Sequence, residues 1–234
     1  MRLTSIIIMV NLMTLISTTQ VFSFEKTFTE LMSAAKTAIE KGDFDNAMAN
    51  FNSALRATSN TKLKLKVVHA RNRFLLQNKK YEYAENLLKE FLDDKPLPSP
   101  LIRRKVLTLL AGQVLWRKPD DAKQYLEQTM ALPFNSDTQA ARTRMLLGYV
   151  YLTKKQPENA LEVWLPIIEK KGKIHPAILS PTSHQIGIAF QKIGDFRNAR
   201  KYFQKAIDYG KKVTYKYDYS ASEKALKKLT KTGK

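Results

Sequence analysis

IGIAFQKIGDFRNARKYFQKAI, from Ile186 to Ile207, is the stretch of sequence that decides the fold of this chain. Apolar residues recur every three to four positions on both sides of a Gly-Asp-Phe break, which is the period of two helices. Gly187 and Ala199 are small enough for two helix backbones to come close. Phe190 and Phe203 can fill the space beside them. The stretch therefore predicts two packed helices joined by a tight turn.

The same arrangement recurs along the chain. Alanines that correspond to Ala199 precede it at intervals of 37, 38, 38 and 39 residues, at Ala47, Ala84, Ala122 and Ala160. A steady period of this length is typical of stacked supersecondary units and not of one globular core. We therefore predict helix pairs near residues 28–58, 63–95, 100–132, 138–170 and 180–210.

Prolines mark several predicted helix starts. Ser99-Pro100 and Ser180-Pro181 each place a serine cap before a proline at the first helical position, where the missing N–H costs nothing. These dipeptides predict the starts of the third and fifth pairs. Pro119 and Pro157 occupy matching positions and predict the second helices of the third and fourth pairs.

These residues resemble the tetratricopeptide repeat. The fifth pair reads Ile186-Gly187-x2-Phe190 and then Ala199-x3-Phe203, and the fourth reads Leu147-Gly148-x2-Tyr151 and then Ala160-x3-Trp164. The first keeps Ala47-x3-Phe51. The second has Arg71-Asn72 where Leu-Gly would fall, and the third lacks the glycine.

The resemblance implies an all-α fold, a right-handed superhelical solenoid of about five antiparallel helix pairs over residues 24–210. The predicted repeat-signature packing residues are Ala47, Phe51, Ala84, Ala122, Gly148, Tyr151, Ala160, Trp164, Gly187, Phe190, Ala199 and Phe203.

Residues 1–23 have the layout of a secretory signal peptide. Arg2 is followed by an apolar centre, and the next charged residue is Glu25. We predict cleavage ahead of Phe24 and export, in a bacterium to the periplasm or cell surface. An uncleaved membrane anchor is the alternative, because the uncharged run approaches the roughly 20 residues that a spanning helix needs.

Residues 211–234 form a basic tail on a chain whose formal net charge is +19. Tyr215, Tyr217 and Tyr219 alternate with polar residues, which favours an extended linker. A short capping helix is predicted after Ser220, with Ala225 and Leu226 on its apolar side. The tail also supports an alternative function, binding of anionic envelope polymers or lipid head groups. Export disfavours nucleic acid as its partner.

The sequence carries no catalytic motif. There is no cysteine, the three histidines lack metal-ligand spacing, and neither phosphate-binding loops nor a nucleophile elbow occurs. We therefore predict that the chain is not an enzyme and that it binds no metal or cofactor.

In the family that the chain resembles, the first helices line a concave face where partners lie. This implies a scaffold for another envelope protein or peptide of amphipathic or acidic character. The alternative is that these positions are ordinary exposed helix residues. The predicted groove residues are Lys36, His69, Arg73, Arg104, Leu107, Arg142, Met145, Tyr149, His184 and Ile188.

Overall fold

The structure is a computed structural model that describes residues 27–94, 98–215 and 217–231. The predicted signal peptide lies outside this part of the chain. Every regular element within it is helical, which confirms the all-α prediction. The chain divides into two compact units, Met1–Leu97 and Pro98–Lys234.

Unit 1 holds the first two helix pairs. Helix α1 covers residues 27–40 and is followed by α2 (Phe44–Arg56), α3 (Thr61–Gln77) and α4 (Tyr81–Asp93). Short turns join consecutive helices, so neighbours run antiparallel. Helix α3 packs on both α2 and α4.

Unit 2 holds the other three pairs and the predicted cap. Consecutive helices pack on one another from the third pair through the fifth, and α11 packs on α10. The helices are α5 (Pro100–Val114), α6 (Pro119–Met130), α7 (Asp137–Thr153), α8 (Pro157–Glu169), α9 (Pro176–Lys192), α10 (Phe196–Gly210) and α11 (Ser220–Lys231).

The predicted start of the fifth pair is wrong, since the helix begins five residues before Pro181, its predicted first residue. Helix α9 begins at Pro176, whose missing N–H suits a first helical position, and His175 Nδ1 accepts a hydrogen bond from the Ala177 N–H. Ser180 is therefore not a cap. It lies inside the helix, and its hydroxyl donates to the Ala206 carbonyl at 2.7 Å.

The other predicted starts agree with the structure. Helices α5, α6 and α8 begin at Pro100, Pro119 and Pro157. Asp43 and Asp195 cap the second helices of the first and fifth pairs, since each side chain accepts a hydrogen bond from a backbone N–H three residues on.

The five recurrent alanines are all buried where helices meet. Ala47, Ala84, Ala122, Ala160 and Ala199 are each 0% exposed. Phe51, Trp164 and Phe203, which follow three of them by four residues, are buried as well. The recurrent alanines thus share one buried environment along the chain.

The glycines of the fourth and fifth pairs lie against those aromatic rings. A Cβ atom on Gly148 would lie 2.1 Å from the Trp164 ring, and one on Gly187 would lie 2.7 Å from the Phe203 ring. Tyr151 and Phe190 are partly buried, and Phe190 stacks on Tyr202 with the ring centroids 5.4 Å apart. Only glycine allows this approach of the first helix to its partner.

Helix α11 confirms the predicted cap. Leu229 is buried, and Ala225 and Leu226 pack on the cluster that Ala199 and Phe203 form. The apolar side of α11 thereby covers the end of the fifth pair.

Candidate partner-binding site

Three predicted groove residues lie exposed on the first helices of unit 1. Lys36 is on α1, where its Nζ lies 3.8 Å from Glu40 Oε1, and His69 and Arg73 are on α3. Their positions are compatible with the prediction. Their part in partner binding stays a prediction.

Arg104 does not line a groove. It is only 4% exposed; Nη2 donates to Gln139 Oε1 at 2.8 Å and Nη1 donates to the Pro133 carbonyl. Its guanidinium lies 5.1 Å from the centre of the Phe134 ring. Arg104 therefore holds the loop between α6 and α7, and its prediction as a partner-binding residue is corrected.

Leu107 is also misplaced by the sequence prediction, since it is 2% exposed and belongs to the core. Helix α5 is apolar around much of its circumference and buries seven residues. Such a helix is covered on several sides. The periodicity of its apolar residues therefore does not identify which positions are exposed.

Helix α11 covers the two predicted groove residues of the fifth pair, His184 and Ile188. His184 Nδ1 is hydrogen bonded to Ser222 Oγ of α11 at 2.9 Å, and its ring lies 5.4 Å from that of Phe203. Burial lowers the pKa of His184 below its usual value. Ile188 packs on the same cluster as Ala225. The chain's own helix occupies this part of the predicted groove.

The fourth pair keeps an accessible face. Arg142 is exposed on α7, and Met145 and Tyr149 are half-buried on the same side. The Tyr149 ring meets Trp164 edge-on at 5.7 Å and Trp116 edge-on at 6.2 Å. We name Trp116, Met145 and Tyr149 the aromatic patch.

Trp116 is the residue that the sequence analysis missed. It follows the end of α5 and is 68% exposed, although its indole is large and apolar. The one signal in the sequence was a tryptophan directly before Arg117-Lys118-Pro119, at a predicted helix end. No repeat-signature position falls there.

Tyr149 is the polar part of the patch. Burial, and then the neighbouring Tyr217, raise the pKa of its phenol, while a hydrogen bond with Gln185 acts in the opposite direction. The hydroxyl therefore stays protonated and can donate. Tyr217 brings the linker before α11 to the border of the patch.

The described residues contain no group of three or more His, Asp or Glu side chains that could hold a metal ion. Within the same part of the chain, no helix is both long and apolar enough to cross a membrane.

Comparison with known proteins agrees with this architecture. The family model described as tetratricopeptide repeat matches residues 31–61 and 181–209, which lie in the first and fifth helix pairs. These two segments are accordingly similar to the tetratricopeptide repeat. A comparison with curated proteins found no match.

Solved structures of low sequence identity share the fold. A MamA protein is 22% identical with a TM-score of 0.57, and the match covers 80% of this chain and 94% of that one. YrrB, described as a TPR protein with an unusual peptide-binding site, is 16% identical with a TM-score of 0.57 and coverages of 87% and 97%. BtubC (BKLC) from P. vanneervenii is 18% identical with a TM-score of 0.62 and coverages of 86% and 93%.

Proposed function

We propose that this chain is a non-catalytic scaffold that binds a peptide or protein partner at the aromatic patch of unit 2. The observation that carries the proposal is Trp116, a largely exposed indole held edge-on against Tyr149. Tryptophan and tyrosine are enriched among the residues that dominate binding energy at protein interfaces. The similarity to YrrB, itself described as having a peptide-binding site, supports the same class of partner.

Charge supports an acidic or amphipathic partner. Arg142 is exposed beside the patch on α7, and the chain as a whole carries a formal net charge of +19. A positive field steers acidic partners toward the surface, whereas the indole and thioether groups supply apolar contact area.

Site-specific photo-crosslinking tests the patch. A benzophenone side chain is introduced at Trp116 and, as a matched control, at Tyr83, which is 66% exposed on α4. We expect the Trp116 position to crosslink a defined partner that the Tyr83 position does not. With that partner purified, Trp116→Ala should weaken binding about tenfold or more, since anchor residues contribute about 2 kcal/mol. Tyr83→Ala should leave the affinity unchanged. Equal affinity of both variants would refute the patch.

We further propose that this scaffold works in the cell envelope. The support is the three-part layout of residues 1–23. Mass spectrometry of the chain from fractionated cells tests it. The expected product begins near Phe24 and is found outside the cytoplasm, whereas a cytoplasmic product that retains Met1 would contradict export.

The alternative proposal is that the C-terminal helix binds polyanions. Lys224, Lys227 and Lys231 are exposed on α11 while Leu229 is buried on the opposite side. Cosedimentation with phosphatidylglycerol vesicles at low and high salt tests it, with phosphatidylcholine vesicles as the control. Counterion release predicts binding that falls steeply with salt and that is lost when the three lysines become glutamine. Salt-independent binding would exclude this alternative.

A further inference from the structure

Unit 1 contains a cleft that the proposed scaffold does not use. It has a volume of about 620 Å³ and lies between the end of α2, helix α3 and helix α4. Its apolar walls are formed by Leu55, Val68, Leu87 and Phe91. Every lining residue belongs to unit 1, whereas the aromatic patch belongs to unit 2.

Arg71 is an unusual residue for this position of the repeat. It occupies the position that Leu147 and Ile186 hold in the fourth and fifth pairs, directly before the signature glycine. Arg71 lines the cleft, and its Nε is buried without a hydrogen-bond partner among the described residues. A guanidinium on the wall of a partly apolar cleft favours an anionic ligand that can pair with it.

The other charges of the cleft leave the Arg71 guanidinium available. Lys64 Nζ is paired with Asp94 Oδ2 at 2.6 Å. Glu90 lines the cleft and acts on Arg71 through its charge, although no ion pair joins the two in the part of the chain that the structure describes. Burial lowers the pKa of Arg71, with the charge of Glu90 opposing that effect. An arginine nevertheless remains a cation at neutral pH.

We propose that this cleft binds a carboxylate joined to an apolar group, with Arg71 as the cation that pairs with it. A guanidinium matches the two oxygens of a carboxylate and forms two parallel hydrogen bonds. The walls that Val68 and Phe91 provide then take the apolar group. The bound carboxylate would thus pair with the Arg71 guanidinium from within the cleft.

NMR titration of the full chain tests the chemistry of the ligand. The probes are hexanoate and acetyl-Gly-Leu with a free carboxylate, and the controls are hexanamide and acetyl-Gly-Leu amide. We expect the carboxylates to shift the amide signals of α3 and α4, whereas the amides leave them unchanged. Binding of hexanoate alone identifies a small free acid as the ligand, and binding of both identifies a peptide terminus as well. Equal shifts with hexanamide and hexanoate, or no shift with either carboxylate, would overturn the proposal.

Two variants separate Arg71 from general charge. Arg71→Leu restores the apolar residue of the repeat, so we expect it to fold, with a melting temperature no lower than that of the wild type. It should weaken carboxylate binding at least tenfold. Lys66→Leu removes an exposed charge from the same helix outside the cleft and should leave the affinity unchanged. Unchanged binding by Arg71→Leu would assign the site to some other group.

Discussion

Gly148 and Gly187 show how single residues set the distance between paired helices. Each lies against a large ring, Trp164 or Phe203, with no space for a methyl group. In the first three pairs a larger residue occupies the position of these glycines. In two of those pairs a smaller side chain, leucine, occupies the position of the aromatic ring. The five combinations are Ala35 with Phe51, Asn72 with Leu88, Leu110 with Leu126, Gly148 with Trp164 and Gly187 with Phe203. This exchange of volume explains why the second and third pairs can lack the glycine and still pack.

Gly148→Ala and Gly187→Ala should each destabilise the fold by about 1–3 kcal/mol, because the added methyl group overpacks the contact. Gly112→Ala is the matched control. Gly112 is also inside a helix, but a Cβ atom there would meet nothing within 4 Å. It should stabilise by about 0.5–1 kcal/mol through helix propensity. Urea denaturation measures all three, and a destabilising Gly112→Ala with a neutral Gly148→Ala would contradict this account.

At the scale of elements, four turns between the paired helices share one geometry. The second residue after each of these first helices has a positive φ, at Gly42 (72°), Lys79 (58°), Lys155 (59°) and Gly194 (84°). The next N–H then donates to a carbonyl five residues back, as from Asp43 to Ala38 and from Asp195 to Phe190, both at 2.9 Å. This is the Schellman motif, and it satisfies carbonyls that the helix end leaves unpaired.

Lys79→Gly should raise the free energy of unfolding by about 1 kcal/mol. A side chain in the left-handed region is strained, and glycine adopts that region without this cost. Lys80→Gly is the control, since Lys80 has a φ of −86° and gains nothing from glycine. Thermal unfolding should show a higher melting temperature for Lys79→Gly and an equal or lower one for Lys80→Gly. A lower melting temperature for Lys79→Gly would show that the strain is not relieved.

The attachment of α11 to α9 should weaken in mild acid. Burial lowers the pKa of His184 in the folded state below the ordinary value of 6.5. The unfolded or undocked state therefore binds the proton more readily. The stabilising contribution is complete above pH 6.5 and is lost as the pH falls from there through the folded-state pKa.

Hydrogen exchange of the α11 amides at pH 7.5 and pH 5.5, corrected for intrinsic rates, measures this effect. We expect protection to fall at pH 5.5 in the wild type and to lose its pH dependence in His184→Gln. Ser222→Ala removes the hydrogen bond to His184 and should lower protection at both pH values. The helices of unit 1 serve as the internal reference. Equal protection of α11 at both pH values would refute the prediction.

At the scale of the whole molecule, the periodic alanines decide whether neighbouring helices can pack. Ala160→Leu and Ala199→Leu should each cost about 1–3 kcal/mol, because both sites are fully buried and cannot take three more carbons without displacement. Ala34→Leu makes the same change at an exposed position of α1 and is the control. Calorimetry should show a clearly lower melting temperature for the two buried variants alone. An unchanged melt for both would contradict the role of the repeat in packing.

The candidate site was less predictable than the fold. Arg104 and Arg142 looked equivalent as basic residues of first helices, yet Arg104 is buried against the loop between α6 and α7 and Arg142 is exposed. His184 fitted the expected groove position, but α11 covers it. Periodicity identifies which side of a helix is apolar. It does not tell which neighbour, or which distant segment, covers that side.

The sequence by itself determined the repeated helix pairs, their close-packed alanines and glycines and the capping helix. These features depend on contacts between residues close in the chain, where spacing and side-chain size are sufficient. Only the tertiary structure decided that Arg104 is internal, that Trp116 and Tyr149 form an exposed aromatic patch, and that Arg71 lies unpaired in a cleft. Exposure and pairing depend on groups that the fold brings together from separate helices. Local sequence patterns do not show which of these distant groups will be in contact.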